Sequence, residues 1–263
     1  MEEPVGAALQ PLAQLLEMGC SQVCTESQHL TARRRSVTDT PWLPGTLLRR
    51  IDETSRRALL RLGIERTAAA PRVLLREGVR ESHVILLDDA LAKVTVAMTD
   101  GRQALIDVRV SGDIIGEMSA LNGEPRSATV TTCRTSKIRI IQRSGLRAFL
   151  RGHPDAAMEL ASIVANRLRT ANRRRVDFAA HPVKIRLARV LWEIAAAYGY
   201  RDRDGIVVDI HLTQDELATM CGVAEITLQK ALRDLRTAGI VATGYRRMLV
   251  RDAAALQRCA DTP

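Results

Sequence analysis

The sequence predicts an α+β protein: an N-terminal domain of short strands in a sandwich or barrel, a long helix and a C-terminal winged helix-turn-helix. Three observations predict it. Between about residues 73 and 141, short apolar runs recur with turn signals between them and no helix-strand alternation. From Pro154 the apolar period changes to three and four residues. Beyond His181-Pro182, a capped helix, a glycine turn and a second amphipathic helix are followed by two short β-runs.

Length and composition are compatible with this plan. A chain of 263 residues accommodates two modest domains. Its residues are 46% hydrophobic but only 3% aromatic, so the cores must rest on Leu, Val, Ile and Ala. The formal net charge of +9 suits a polyanionic partner, because each Lys or Arg that neutralises a phosphate releases a counterion. The five cysteines (Cys20, Cys24, Cys133, Cys221, Cys259) form no disulfide framework, which fits a reducing compartment. No run of about 18 apolar residues exists to span a bilayer. Met1-Glu2-Glu3-Pro4 carries acids where a secretory signal would be basic. A cytoplasmic location is expected.

Residues 1–42 read as a poorly ordered extension, with one short helix at Leu9–Met18 and a polar run containing Arg33-Arg34-Arg35. A β-domain is expected at 43–150. It opens with one helix over Thr46–Leu62. Strands follow at Val73–Leu75, His83–Leu87, Ala92–Ala97, Ala104–Val110, Ser127–Thr132 and Ile138–Ile141. Thr99-Asp100-Gly101-Arg102 is a hairpin turn. Residues 151–180 are expected to form the dimerisation helix, with Pro154 in its first turn. Ala157, Leu160, Ala161, Val164, Leu168 and Ala171 make one apolar stripe along it. Burial in its own domain or pairing with the same helix of a second subunit would satisfy that stripe, and its narrowness favours pairing. Arg173-Arg174-Arg175 at its end is expected to be exposed or to touch nucleic acid.

Residues 181–263 form the expected DNA-binding domain. Val183–Tyr198 is an amphipathic helix, and Ile206–Ile210 a strand. Thr213 caps the next helix, with Glu216 completing a capping box. Ala218 allows close approach of a second helix, and Gly222 supplies a left-handed turn. That second helix, Ala224–Thr237, buries Leu228, Ala231, Leu232 and Leu235. It presents Ala224, Glu225, Ile226, Thr227, Gln229, Lys230 and Arg233. In such a unit the second helix enters the major groove, where Glu can accept from cytosine, Gln pairs with adenine and Lys suits guanine or phosphate. Thr213 and Gln214 at the head of the first helix are counted with these contacts. Arg246 and Arg247 on a wing between Ile240–Ala242 and Met248–Val250 suit phosphates.

The run Gly112-Asp113-Ile114-Ile115-Gly116-Glu117-Met118 through Gly123-Glu124-Pro125-Arg126-Ser127-Ala128 resembles the phosphate-binding cassette of cyclic-nucleotide-binding domains, which are jelly rolls. The helix-turn-helix resembles that of the CRP/FNR family of bacterial regulators, and the likeness runs from about Leu47 to Leu256. It implies a homodimer on double-stranded DNA, with RNA polymerase as a further partner and a cyclic nucleotide (cAMP or cGMP) as allosteric effector. Gly116 and Glu117 match a ribose-contacting pair, flanked by Met118. Arg126 and Ser127 match the phosphate clamp, flanked by Ala128. Arg167 matches a helix arginine near the ribose. The residues themselves are compatible with these roles. Amides behind Gly116 favour an anion, Arg126 offers a planar fork, and Glu117 only accepts, so it suits hydroxyls. A direct Glu117–Arg126 pair is the plain alternative.

Departures from the family pattern are present. The adenine-reading Thr-Ser pair falls on Ala171 and Asn172, of which only Asn172 can bond a base. Asp89-Ala90 replaces a strand-linking glycine. The common Ser-Arg-Glu-Thr of the recognition helix falls on Ala224-Glu225-Ile226-Thr227. An iron–sulfur redox sensor of this fold would need four ligands, and Cys20, Cys24 and Cys133 offer three. A cupin-like metalloenzyme would need clustered histidines, but His29, His83, His153, His181 and His211 are scattered. No catalytic motif is found, and the chain is expected not to be an enzyme.

Overall fold

In the computed structural model, residues 42–43, 45–244 and 247–262 are described. The extension expected at 1–42, apart from Trp42, lies outside them, as do Cys20, Cys24 and Arg246. Period-two apolar patterning gives the β-roll two four-stranded antiparallel sheets. One contains β1 (Ile64–Ala68), β3 (Val84–Asp89), β6 (Ile114–Ile115) and β8 (Ser136–Ile141), in the order β1-β8-β3-β6. The other contains β2 (Val73–Leu75), β4 (Leu91–Ala97), β5 (Gln103–Val110) and β7 (Thr129–Thr132), in the order β2-β7-β4-β5. Strand β3 is apolar on both faces for a reason. Ile85 and Leu87 fill the space between the sheets, whereas Val84 and Leu86 face a second core. That second core is closed by α1 (Leu47–Arg50), α2 (Glu53–Arg61) and α4 (Arg143–Gly152), through Leu47, Leu48, Leu59, Leu146 and Phe149. The short α3 (Glu117–Asn122) follows β6.

The expected single helix at Thr46–Leu62 is two helices. Ile51 turns extended, and the Asp52 side chain caps α2 by accepting from Ser55 N–H. Strand β1 and helix α4 have no counterpart in the sequence expectations. The first is almost wholly exposed, so it carries no apolar alternation, and the second directly follows a strand.

Helix α5 (Pro154–Ala180) has Pro154 in its first turn and runs for 27 residues. Its stripe is divided between two environments. Of the expected stripe, Leu160 is buried in the second core of the β-roll, where Ala156 and Ile163 from beside the stripe join it. Ala161 and Ala171 are exposed, Leu168 is 62% exposed and Val176, off the stripe, is equally open. The N-terminal half therefore buries one edge in its own domain, although Met158 there is 71% exposed, and the distal half leaves Leu168 and Val176 open. Among the described residues no helix is long and apolar enough to cross a membrane.

Helix α6 (Val183–Tyr198) packs against α7 (Gln214–Cys221), α8 (Glu225–Thr237) and α9 (Ala253–Ala260). A third four-stranded sheet forms the wing: β9 (Tyr200–Asp202), β10 (Gly205–Val208), β11 (Val241–Gly244) and β12 (Arg247–Val250), in the order β11-β12-β10-β9. The apolar core here is continuous with Leu91, Leu105 and Val108 of the β-roll.

Candidate functional site

The helix-turn-helix is held by the devices legible in its sequence. Thr213 Oγ1 accepts from Glu216 N–H at 3.1 Å, and Thr213 N–H donates to Glu216 Oε2 at 2.8 Å. Gly222 ends α7 in the left-handed region at φ 63°, and a side chain there would press on the Phe178 ring of α5. Helix α8 starts one residue later than expected, with Ala224 as its extended N-cap. Leu228, Ala231, Leu232 and Leu235 are buried beneath it. Each fully buried leucine stabilises the unit by roughly 1.5–3 kcal/mol. On the opposite face Ala224, Glu225, Ile226, Thr227, Gln229, Lys230 and Arg233 are all exposed. Glu225 Oε1 accepts from Gln229 Nε2 at 3.2 Å. Thr213 is exposed and Gln214 half-buried at the head of α7. On the wing, Arg247 is exposed and lies 3.6 Å from Asp202, a loose surface pair of small energetic weight.

The cassette is built differently. Gly116 sits at φ 80° as the N-cap of α3, and a side chain there would collide with the Arg126 guanidinium. Arg126 is 3% exposed. Its Nη1 donates to Gly116 O at 3.0 Å and its Nη2 to His83 O at 2.6 Å, while Nε is buried with no partner among the described residues. Burial lowers the pKa of this guanidinium, against the pull of Glu81 and Glu117. Glu117, 5% exposed, does not pair with Arg126. Its Oε1 accepts from Arg167 Nη1 at 2.6 Å, across 50 residues of sequence. Ser127 is exposed near the half-open Met118, and Ala128 is buried in the core between the sheets. Asn172 is exposed on α5, about 1.4 turns beyond Arg167.

Each half of the chain matches a known domain model. Residues 65–153 match the model of the cyclic nucleotide-binding domain, and residues 185–259 match that of the Crp-like helix-turn-helix domain. A CRP-like cAMP-activated global transcriptional regulator of Mycobacterium tuberculosis (strain ATCC 25618 / H37Rv) is 27% identical over 221 residues, covering 79% of this chain and 99% of the relative. The chain belongs to the CRP/FNR family of transcription regulators. Among solved structures, a CRP-family transcriptional regulator from Thermus thermophilus aligns with TM-score 0.63 and 25% identity, over 75% of this chain and 97% of that one. FixK2 from Bradyrhizobium japonicum shares the fold at TM-score 0.65 and 18% identity, over 77% and 99% of the two chains.

Within this CRP/FNR regulator, several residues that sequence reasoning does not single out join the two halves. Asp113, part of a turn in the sequence, is buried, accepts from Val110 N–H at 3.1 Å and lies 3.4 Å from Arg167. Burial raises its pKa despite the nearby Arg109 and Arg167 charges. Burial alone would also raise Asp107, but Arg109 beside it outweighs that and holds the carboxyl below its ordinary value. Lys93 donates to both carboxylate oxygens of Glu216 at 2.7 Å and to His211 O at 2.8 Å. Thr219 Oγ1 accepts from Leu105 N–H at 3.0 Å, and Tyr198 donates to Val108 O at 3.0 Å. Strand β5 is thus bonded to both α6 and α7. Of Arg173-Arg174-Arg175, the outer two are exposed as expected, and the middle one needs a correction. Arg174 is largely buried and donates to Ile106 O at 2.6 Å and Glu193 at 3.1 Å, so it serves the β5–α6 junction. A lysine inside an apolar strand and an Asp-x-Arg pair on one strand face were the available signals.

Among the described residues no cluster of cysteines forms. Cys133, Cys221 and Cys259 are free, burial pushes the Cys221 thiol up to about 12, and burial also raises Cys133. Neither of those two is thiolate at neutral pH, the state that redox chemistry needs.

Proposed function

We propose that this regulator acts as a homodimer on double-stranded DNA, with its affinity set by a cyclic nucleotide (cAMP or cGMP) in the β-roll. The observation that carries the reading is the Glu117–Arg167 pair, because it ties the cassette directly to α5. A ribose hydroxyl at Glu117 would compete with Arg167 and so shift α5. A phosphate beside Gly116 would give the unpaired Arg126 Nε an acceptor, with Ser127 in reach as a hydroxyl donor. Asn172, exposed farther along α5, is the residue offered to a base in the partner's cassette. The open Leu168 and Val176 favour α5 as the dimer seam. Lys230, Arg233, Arg246 and Arg247 supply phosphate contacts, Glu225 and Gln229 base contacts, and Thr213 and Gln214 backbone contacts at the head of α7. RNA polymerase is the partner at the promoter.

Effector control requires different nucleotide affinities in two states of the dimer. Calorimetric titration with cAMP and with cGMP tests the site, and gel shifts on genomic fragments with and without nucleotide test the coupling. Arg126→Leu is expected to abolish the heat of binding while leaving a dimer in sedimentation. Unchanged nucleotide affinity in that variant removes the site. The internal partners of Glu117 and Arg126 favour a second reading, a regulator of the same fold that needs no effector. That reading predicts no nucleotide heat and DNA binding indifferent to nucleotide.

A further inference from the structure

Ile226 is 78% exposed, more than any other large apolar side chain among the described residues. It is the second residue of α8, two positions before the fully buried Leu228. Among the described residues little covers it. A β-branched residue in a first helical turn gains little from propensity, so its placement there has no structural return. Its neighbours on the same face, at three, four and seven residues on, are Gln229, Lys230 and Arg233. The face is therefore an apolar tip followed by a polar and cationic stretch. Glu225, the charged side chain at the tip, is already engaged by Gln229.

The first turn of a recognition helix meets base edges, while later turns and flanking cations meet phosphates. In the major groove the apolar feature that a base edge presents is the C5-methyl of thymine. We infer that Ile226 reads thymine methyl groups, so that each half-site of this regulator carries a thymine opposite the head of α8. The inference rests on the DNA-binding reading of α8 and adds the identity of a base to it.

The test uses the full chain. Bound duplexes are selected from a random library, and in the strongest one each thymine of one half-site is replaced in turn by deoxyuridine. That change removes the methyl and leaves every hydrogen-bonding group in place. At one or two positions the wild-type protein should lose about fourfold in affinity, the worth of one buried methyl-sized group. Ile226→Ala should bind the thymine duplex more weakly and show no further loss on deoxyuridine. Because the side chain is exposed, its melting temperature should match the wild type. A wild-type protein indifferent to every deoxyuridine overturns the inference while leaving DNA binding intact. So does an Ile226→Ala protein that still discriminates thymine from deoxyuridine. A protein that selects no duplex at all overturns both the inference and the reading beneath it.

Discussion

Around Gly116 the charged side chains are buried and engaged, whereas along the outer face of α8 they are exposed and mostly open. Arg126 is committed to two carbonyls and Glu117 to Arg167. Lys230 and Arg233 make no ion pair among the described residues, and only Glu225 and Gln229 satisfy each other. The difference follows from what each region meets. A buried charge must be paired in whatever state it occupies, or the desolvation penalty unfolds its surroundings. A cation at the surface is hydrated at little expense until a phosphate arrives. A nucleotide must therefore exchange partners with the protein, and that exchange can be felt elsewhere, while DNA meets a face that is already formed.

The sharpest test lies within α8 itself. Leu228→Ala should destabilise the protein by about 3 kcal/mol, because a fully buried leucine leaves a cavity. Ile226→Ala should change stability by less than about 0.5 kcal/mol. Urea denaturation of both compares them, and similar values would mean that the two faces of α8 are wrongly assigned. In the cassette, Arg167→Met should cost about 2 kcal/mol, because it leaves Glu117 buried without its cation and leaves Asp113 with Arg109 alone. Adding Glu117→Gln should recover most of that loss. If the double variant is no better than the single one, Arg167 acts by packing and not by charge.

Between the two regions, Lys93→Met should cost about 1.5 kcal/mol by removing charge-assisted bonds to Glu216. Its signature would be faster amide exchange in α7 with the sheets of the β-roll unchanged. Uniform exchange throughout would deny β5 a specific hold on α7. The smallest expected effect is at His83, beside Arg126. Burial first, then the Arg126 charge, holds its pKa below 6.5, while Glu81 pulls the other way. The folded state therefore prefers the neutral ring. Its contribution is complete above pH 6.5 and is lost as the pH falls through the lowered folded value. Stability should decline slightly on acidification, and His83→Gln should flatten that part of the profile. An identical profile in the variant would assign the slope to other groups.

Much of the fold was legible because its signals are short-range. The capping box of Thr213 and Glu216, the left-handed turn at Gly222 and the three-four spacing of Leu228, Ala231, Leu232 and Leu235 act within a few residues, so the sequence alone determined the helix-turn-helix and its exposed face. Gly116, Glu117 and Arg126 were equally readable as a cassette. The directions in which those side chains point were not. Glu117 meets Arg167 across 50 positions, and Lys93 meets Glu216 across 123. No period in the chain encodes either pairing, since each depends on which faces two separately formed elements bring together. The same holds for α5, one continuous stripe in the sequence. Packing against the β-roll covers Leu160, and only the end of that contact leaves Leu168 open.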